Sequence, residues 1–327
     1  MKGSRHIRIS NRKLTYEFTI RRNLTIIRGD SATGKTTLIG MIREFNLQGE
    51  DSGVQISSSS PCVVVEGQNW EKQLRELDED SVVFIDEGNR FVSSRRFAEV
   101  ARASSNYYVI VTRENLYSLP YSVTEIYGIH SAGKYNSIQK VYHEFYRIYG
   151  EKNNAGLEKV NEIITEDSNS GYQFFRASCR KDVSCRSAAG NSNVLGKVEK
   201  SGKNEVLVIA DGAAFGPYMG QLDTYQKRHS NIHVFLPESF EWLILKSGLI
   251  ASSEVKEILS HPEDFVDSKV YFSWEQFFTA CLQRLTNGTF LQYQKSLLNP
   301  VYLHPRETKA LLETMPEQTR ALFRRDV

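Results

Sequence analysis

Residues Gly29-Asp30-Ser31-Ala32-Thr33-Gly34-Lys35-Thr36 carry the pattern G-x-x-x-x-G-K-[ST], in which each residue type can act on a polyphosphate. The glycines let the backbone wrap inward, so that successive amide hydrogens face anionic oxygens. A helix starting near Lys35 adds the positive end of its dipole. The Lys35 ammonium can bridge the outer phosphates, the Thr36 hydroxyl can ligate magnesium, and Thr37 completes the contacting set. A turn that merely closes a strand has no use for a lysine and a threonine together in this register. The ligand implied is ATP with Mg²⁺.

Such a loop needs an acid on the metal side, at the end of a neighbouring strand. The run "SVVFIDEG" supplies Asp86 after four apolar residues. Asp86 is expected to hold magnesium through water, and Glu87 to orient or deprotonate the attacking water. The strand "YYVIVTR" ends in Thr112 and Arg113, where a polar residue either senses the γ-phosphate or simply ends a strand.

The elements that must position these groups follow from hydrophobic periodicity. "HIRIS" and "KLTYEFTI" alternate as half-buried strands, and "NLTIIRGD" is more continuously apolar, as a central strand should be. A helix is predicted over Thr36 to Phe45, followed by an exposed serine-rich connection, "NLQGEDSGVQISSSSP". Then "CVVVEG", "SVVFIDEG" and "NYYVIVTR" read as strands separated by the helices "NWEKQLREL" and "SSRRFAEVARAS", with Ser93 or Ser94 as cap. This alternation predicts an α/β fold with a mostly parallel sheet covered on both faces. Two strand-like runs around Gly133 follow, and the polar Gly150 to Gly156 is a candidate linker between domains over 1–150 and 157–327. Beyond it the alternation restarts in a smaller α/β domain, and helical periodicity in "SWEQFFTACLQRL" and "RETKALLETM" predicts a helical end.

Composition narrows the partners. No apolar run approaches the roughly 20 residues that span a bilayer, and no apolar signal core follows "MKGSRHIRIS", so a soluble, cytoplasmic protein without a membrane partner is expected. The formal net charge of +2 excludes a strongly basic nucleic-acid coat but leaves room for a local groove. Cys62, Cys179, Cys185 and Cys281 lack zinc-ligand spacing and read as free thiols.

The loop and the Asp86-Glu87 pair resemble the P-loop ATPases of the ATP-binding-cassette and AAA superfamilies over about the first 130 residues. No LSGGQ-type signature accompanies them, so the resemblance does not extend to cassette-style dimerisation. Further on, "EIITEDSNSGYQFF", "SAAGNSNVLGKVEK" and "VLVIADGAAFG" taken in order resemble the Toprim domain of topoisomerases, primases and the overcoming-lysogenization-defect nucleases. A P-loop domain followed by Toprim is the architecture of that nuclease family, which implies a role in anti-phage defence. The resemblance gives Glu166 the part of general acid or base and Asp211 that of the first metal-binding aspartate. The second aspartate is missing: Ala213 stands at its position, and Phe215 two residues later cannot bind a cation. Two carboxylates can still hold one Mg²⁺ or Mn²⁺, and Asp167, Asp182, Glu238 and Glu241 are further acids within the stretch. If such a site cuts nucleic acid, weak cleavage favouring manganese is expected.

Arg176, Arg180, Lys181 and Arg186, with Tyr172, Phe174 and Phe175 just before them, suit either a backbone-tracking nucleic-acid groove or a solvated loop beside core aromatics. Two classes of function therefore stand. One is an ATPase whose nucleotide state regulates a Toprim-like nuclease acting on DNA or RNA. The other is an ATP-dependent switch whose Toprim-like domain has lost catalysis and binds nucleic acid or a protein partner; homo-oligomers fit either. An acid within metal-ligand reach of Asp211, in place of Ala213, separates the two.

Overall fold

Runs such as Leu24–Ile27 and Val82–Ile85 carry an apolar side chain at nearly every position, so both faces of their strands must be covered. In the computed structural model, which describes residues 2–29, 34–131, 141–150 and 156–323, they are inner strands of a nine-stranded sheet, each with a strand on either side. The chain divides into two units, Met1–Gly150 with Pro262–Phe272, and Glu151–His261 with Ser273–Val327.

The first unit contains, in order, β1 (Arg5–Ser10), β2 (Leu14–Ile20), β3 (Leu24–Ile27), α1 (Lys35–Gln48), β4 (Gln55–Ser58), β5 (Cys62–Val64), α2 (Trp70–Glu76), β6 (Val82–Ile85), α3 (Arg95–Ala103), β7 (Tyr107–Val111), β8 (Ile126–Ser131) and β9 (Val141–Arg147). The strand order is β4-β1-β2-β9-β8-β3-β7-β6-β5. From β8 to β5 all neighbours are parallel, whereas β1 pairs antiparallel with β2 and β4, and β9 with β8. Alternate residues face opposite layers. Val82 and Phe84 join Leu38, Ile39 and Ile42 of α1 in one core, while Val83 and Ile85 join Trp70 and Leu74 of α2 and Phe97 of α3 in the other. Ser94 caps α3, its hydroxyl accepting from the Phe97 amide at 3.1 Å.

Two features depart from the pattern in the sequence. The serine-rich connection contains an edge strand, β4, antiparallel to β1, and its single apolar side chain, Ile56, packs on the core. One apolar residue in four is too faint a period-two signal to read. Pro262–Phe272 belongs to the first unit although it lies far along the chain: the Gly3 backbone amide donates to the Glu263 carbonyl at 2.7 Å, and the Asn23 side-chain Nδ2 donates to the Phe272 carbonyl at 3.2 Å. The Gly133 turn lies outside the described residues.

The second unit contains β10 (Glu162–Thr165), α4 (Ser170–Ser178), β11 (Ser184–Ser187), α5 (Val194–Lys200), β12 (Val206–Ile209), α6 (Gly216–Gln226), β13 (Ile232–Phe235), α7 (Phe240–Lys246), α8 (Ser253–Ser260), α9 (Trp274–Thr286), α10 (Pro305–Glu313) and α11 (Glu317–Arg320). Its four strands are all parallel, in the order β11-β10-β12-β13. β11, "SCRS", has no apolar signature and is held by its backbone pairing to β10. All four cysteines are unbridged. Among the described residues no helix is long and apolar enough to cross a membrane.

Candidate nucleotide and acid sites

The first site lies at the carboxyl edge of the larger sheet, where β3 gives way to α1. Gly29 (φ 130°) and Gly34 (φ 90°) take left-handed backbone angles that strain any side-chain-bearing residue. A Cβ at Gly34 would stand 2.7 Å from the Tyr16 hydroxyl oxygen, because that hydroxyl donates to the Gly34 carbonyl at 2.9 Å. Tyr16 stacks on His143 with ring centroids 4.6 Å apart, so β2 and β9 together clamp the base of the loop. Burial raises the Tyr16 phenol to about 12 and keeps it a donor.

Lys35 is the first residue of α1 and is buried, its ammonium donating to the Gly29 carbonyl at 2.9 Å. That bond ties the start of α1 back to the chain just past β3. Thr36 and Thr37 are exposed on the first turn of α1. Asp30, Ser31, Ala32 and Thr33 lie outside the described residues.

Asp86 follows β6, and β6 is not the neighbour of β3. β7 stands between them, which corrects the adjacent placement read from sequence. "YYVIV" is apolar on both faces and takes a central place for the same reason as β3. Ile27 is in register with Val111, and Ile110 with Ile85. Asp86 is therefore level with the end of β3 at two strand spacings, about 10 Å. One Asp86 carboxylate oxygen accepts from the Glu87 amide at 2.8 Å. Glu87 is exposed and pairs with Arg113 at 3.0 Å, a solvated ion pair that opens at little cost. Thr112 is buried and its hydroxyl accepts from the Glu114 amide at 3.0 Å. From α1, Arg43 grips Glu66 at 2.6 and 3.1 Å. That hydrogen bond, with smaller help from the charges of Glu66 and Asp86, outweighs the effect of burial and raises the guanidinium's pKa.

The second site lies at the carboxyl edge of the smaller sheet. β10 and β12 are neighbours with Thr165 opposite Ile209, so Glu166, one residue past Thr165, and Asp211, two residues past Ile209, come together at the strand ends. A Glu166 carboxylate oxygen accepts from the Asp211 amide at 3.0 Å. They line a small crevice with Thr165, Asp167, Gly171 and Phe240. Burial pushes Glu166 up to about 7, with the charges of Glu275 and Asp167 adding to it and the Asp211 amide opposing. Burial likewise holds Asp211 well above the usual carboxylate range, with Glu275, Glu166 and Glu241 adding and Lys295 opposing.

Sequence reasoning missed Glu275, Tyr293 and Lys295. They come from α9 and the irregular chain after it, with no motif to mark them. Ala213 is buried, its amide donating to the Glu238 carbonyl at 3.2 Å, and among the described residues no group of three or more His, Cys, Asp or Glu side chains is disposed to hold a metal.

The basic stretch does not form a continuous track. Arg186 pairs with buried Glu162, Arg180 pairs with Asp182 at 2.9 Å, and Arg176 lies over the Tyr172 ring at 5.8 Å. Phe174 and Phe175 are core residues packed on Phe240. The solvated-loop reading fits these partners better than the groove.

The raised carboxyls set a pH dependence. A carboxyl whose folded pKa exceeds its unfolded value binds its proton more tightly when folded, so stability falls as pH rises between the two values. With Glu166 at about 7 against an ordinary 4.5, the second unit is expected to lose up to roughly 3 kcal/mol between those pH values. Asp211 acts in the same direction. Thermal melts across that range should fall with pH, and Glu166→Gln, which cannot ionise, should flatten the slope. Equal slopes in both proteins would refute the assignment.

A scan of known family profiles and a search of curated proteins both found no match to this chain.

Proposed function

We infer that this is an ATP-binding and ATP-hydrolysing protein whose nucleotide state regulates the second, Toprim-like unit. One observation carries the ATPase reading: Gly29, Asp86 and Glu87 follow the ends of the parallel strands β3 and β6 at one edge of the sheet, and Gly34 and Lys35 open the helix that starts there, with Lys35 bonded to Gly29. Ligands of open α/β sheets bind at that edge. Lys35 and the start of α1 would hold the phosphates of ATP. Thr36 and Asp86 would hold Mg²⁺, which lowers the cost of charge building on the transferred phosphoryl group. Glu87 would take a proton from the attacking water once Arg113 releases it.

For the second unit, a regulatory module that binds nucleic acid or a protein partner is the better supported of the two readings. Among the described residues no group of three or more His, Cys, Asp or Glu side chains is disposed to hold a metal, and a two-metal displacement needs several such ligands. The Glu166–Asp211 pair favours the nuclease reading only as far as it brings together the two acids that the resemblance requires. Cleavage of labelled DNA and RNA, with and without ATP, decides between them. The expected result is no cleavage that depends on Glu166 and Asp211. Cleavage lost in both Glu166→Ala and Asp211→Ala would restore the nuclease.

A further inference from the structure

Polar side chains, and not only an apolar face, fasten α1 to β5. Arg43 meets Glu66 as a two-pronged pair, Nε to Oε1 at 3.1 Å and Nη2 to Oε2 at 2.6 Å, a fork geometry that fixes direction as well as distance. One helical turn on, Asn46 takes the place of a neighbouring strand. Its Nδ2 donates to the Cys62 carbonyl at 2.9 Å and its Oδ1 accepts from the Val64 amide at 3.0 Å, on the open side of an edge strand.

The strand so held ends beside the proposed metal-side acid. Val64 is in register with Phe84, and the Val65 amide extends the ladder to the Phe84 carbonyl at 3.0 Å, so Glu66 and Asp86 leave β5 and β6 at the same level. Asn89 joins the two ends: its Nδ2 donates to the Asp86 carbonyl and its Oδ1 accepts from the Gly67 amide, each at 3.0 Å. Gln73 grips the Glu66 backbone on the other side, its Nε2 donating to the carbonyl at 2.8 Å. On α1, Thr36 and Arg43 stand at positions i and i+7 and share a face.

We propose that the Arg43–Glu66 pair is a positioning clamp for the magnesium side of the first site, fixing the helix that carries Thr36 against the strand ends that carry Asp86. This rests on the ATPase reading. Magnesium accepts ligands only in a near-octahedral array at about 2.0–2.1 Å, so a small drift of α1 weakens metal binding first. Contacts of Lys35 with phosphate do not involve the metal and outlast it. Both clamp side chains are partly exposed, at 37% and 45%, and such a pair adds little to stability. Its removal therefore tests placement rather than folding.

The experiment measures binding of a fluorescent ATP analogue to the full chain in EDTA and across a magnesium titration, with turnover followed in parallel. Arg43→Met and Glu66→Gln should each raise the Mg²⁺ needed for half of the metal-dependent gain in affinity by at least about tenfold, the low end for partners behind metal ligands. Affinity in EDTA should stay at the wild-type value. The swapped pair, Arg43→Glu with Glu66→Arg, should recover most of the loss. Arg96→Met breaks a fork of the same kind between α3 and Glu71 of α2 and should leave the magnesium requirement unchanged, which tells a placed metal site from general loosening. A wild-type magnesium requirement in both clamp variants would overturn the proposal, as would affinity lost equally with and without metal. A wild type with no metal-dependent affinity would instead sink the ATPase reading, and the clamp's role with it. If Arg43→Met does not fold, Glu66→Gln decides alone, since an amide of the same size replaces a half-exposed carboxylate.

Discussion

Lys35→Ala is expected to lose magnesium-dependent ATP binding by at least about 10²-fold and to lose hydrolysis with it. The side chain is buried at the first position of α1, and its ammonium reaches the Gly29 carbonyl just past β3, at the edge of the sheet where the proposed site would take the phosphates. Replacing one carbonyl by two anionic phosphate oxygens exchanges a single hydrogen bond for two charge-assisted ones, each worth roughly 1.5–3 kcal/mol. The lost affinity follows from two such bonds. Alanine is the best helix former and keeps the first turn of α1, so the melting temperature should change little. Titration with a fluorescent ATP analogue and magnesium measures the effect. Unchanged affinity in the variant, or no affinity in wild type, would sink the ATPase reading.

Glu87→Gln should keep ATP affinity and slow turnover by at least about 10²-fold, the usual scale for losing a positioned base. Glutamine keeps the size of the side chain and its reach, but it cannot accept a proton from water. Because Glu87 is exposed and tied to Arg113 by a solvated pair, the substitution removes no buried contact, and stability should hold. Arg113→Ala supplies the control. Freeing Glu87 from its partner should change the rate far less than removing the carboxylate. Steady-state hydrolysis with binding measured in parallel separates the two. A Glu87→Gln enzyme that turns over at the wild-type rate would assign the base elsewhere.

The parts of both sites that were legible are those built from consecutive residues. Gly29, Gly34, Lys35 and Thr36 stand out because the proposed phosphate loop would require particular backbone angles and side chains at fixed short spacing, and Gly29 and Gly34 do take positive φ. Asp86 and Asp211 were legible as strand ends because both follow apolar runs, Val82–Ile85 and Val206–Ile209, which need cover on two faces. Glu166 was found through its place in the resemblance and not through periodicity. Arg186 shows the opposite case: its charge was visible, but its use against buried Glu162 was not. A cation in a sequence carries no mark of which acid lies across the next strand.

By itself, then, the sequence determined the α/β class, the phosphate-loop pattern and the acids at strand ends, since each depends on chemistry local to a few residues. Only the tertiary structure decided that β7 stands between β3 and β6, that weak patterns such as β4 and β11 are strands, and that Pro262–Phe272 returns to the first unit. It also decided that Glu166 accepts from the Asp211 amide, that Tyr293 donates to buried Glu241 and that Lys295 pairs with Glu275. The reason is physical: strand order and helix packing are set by burying whole faces at once, and the partners this brings together leave no periodicity in the chain between them.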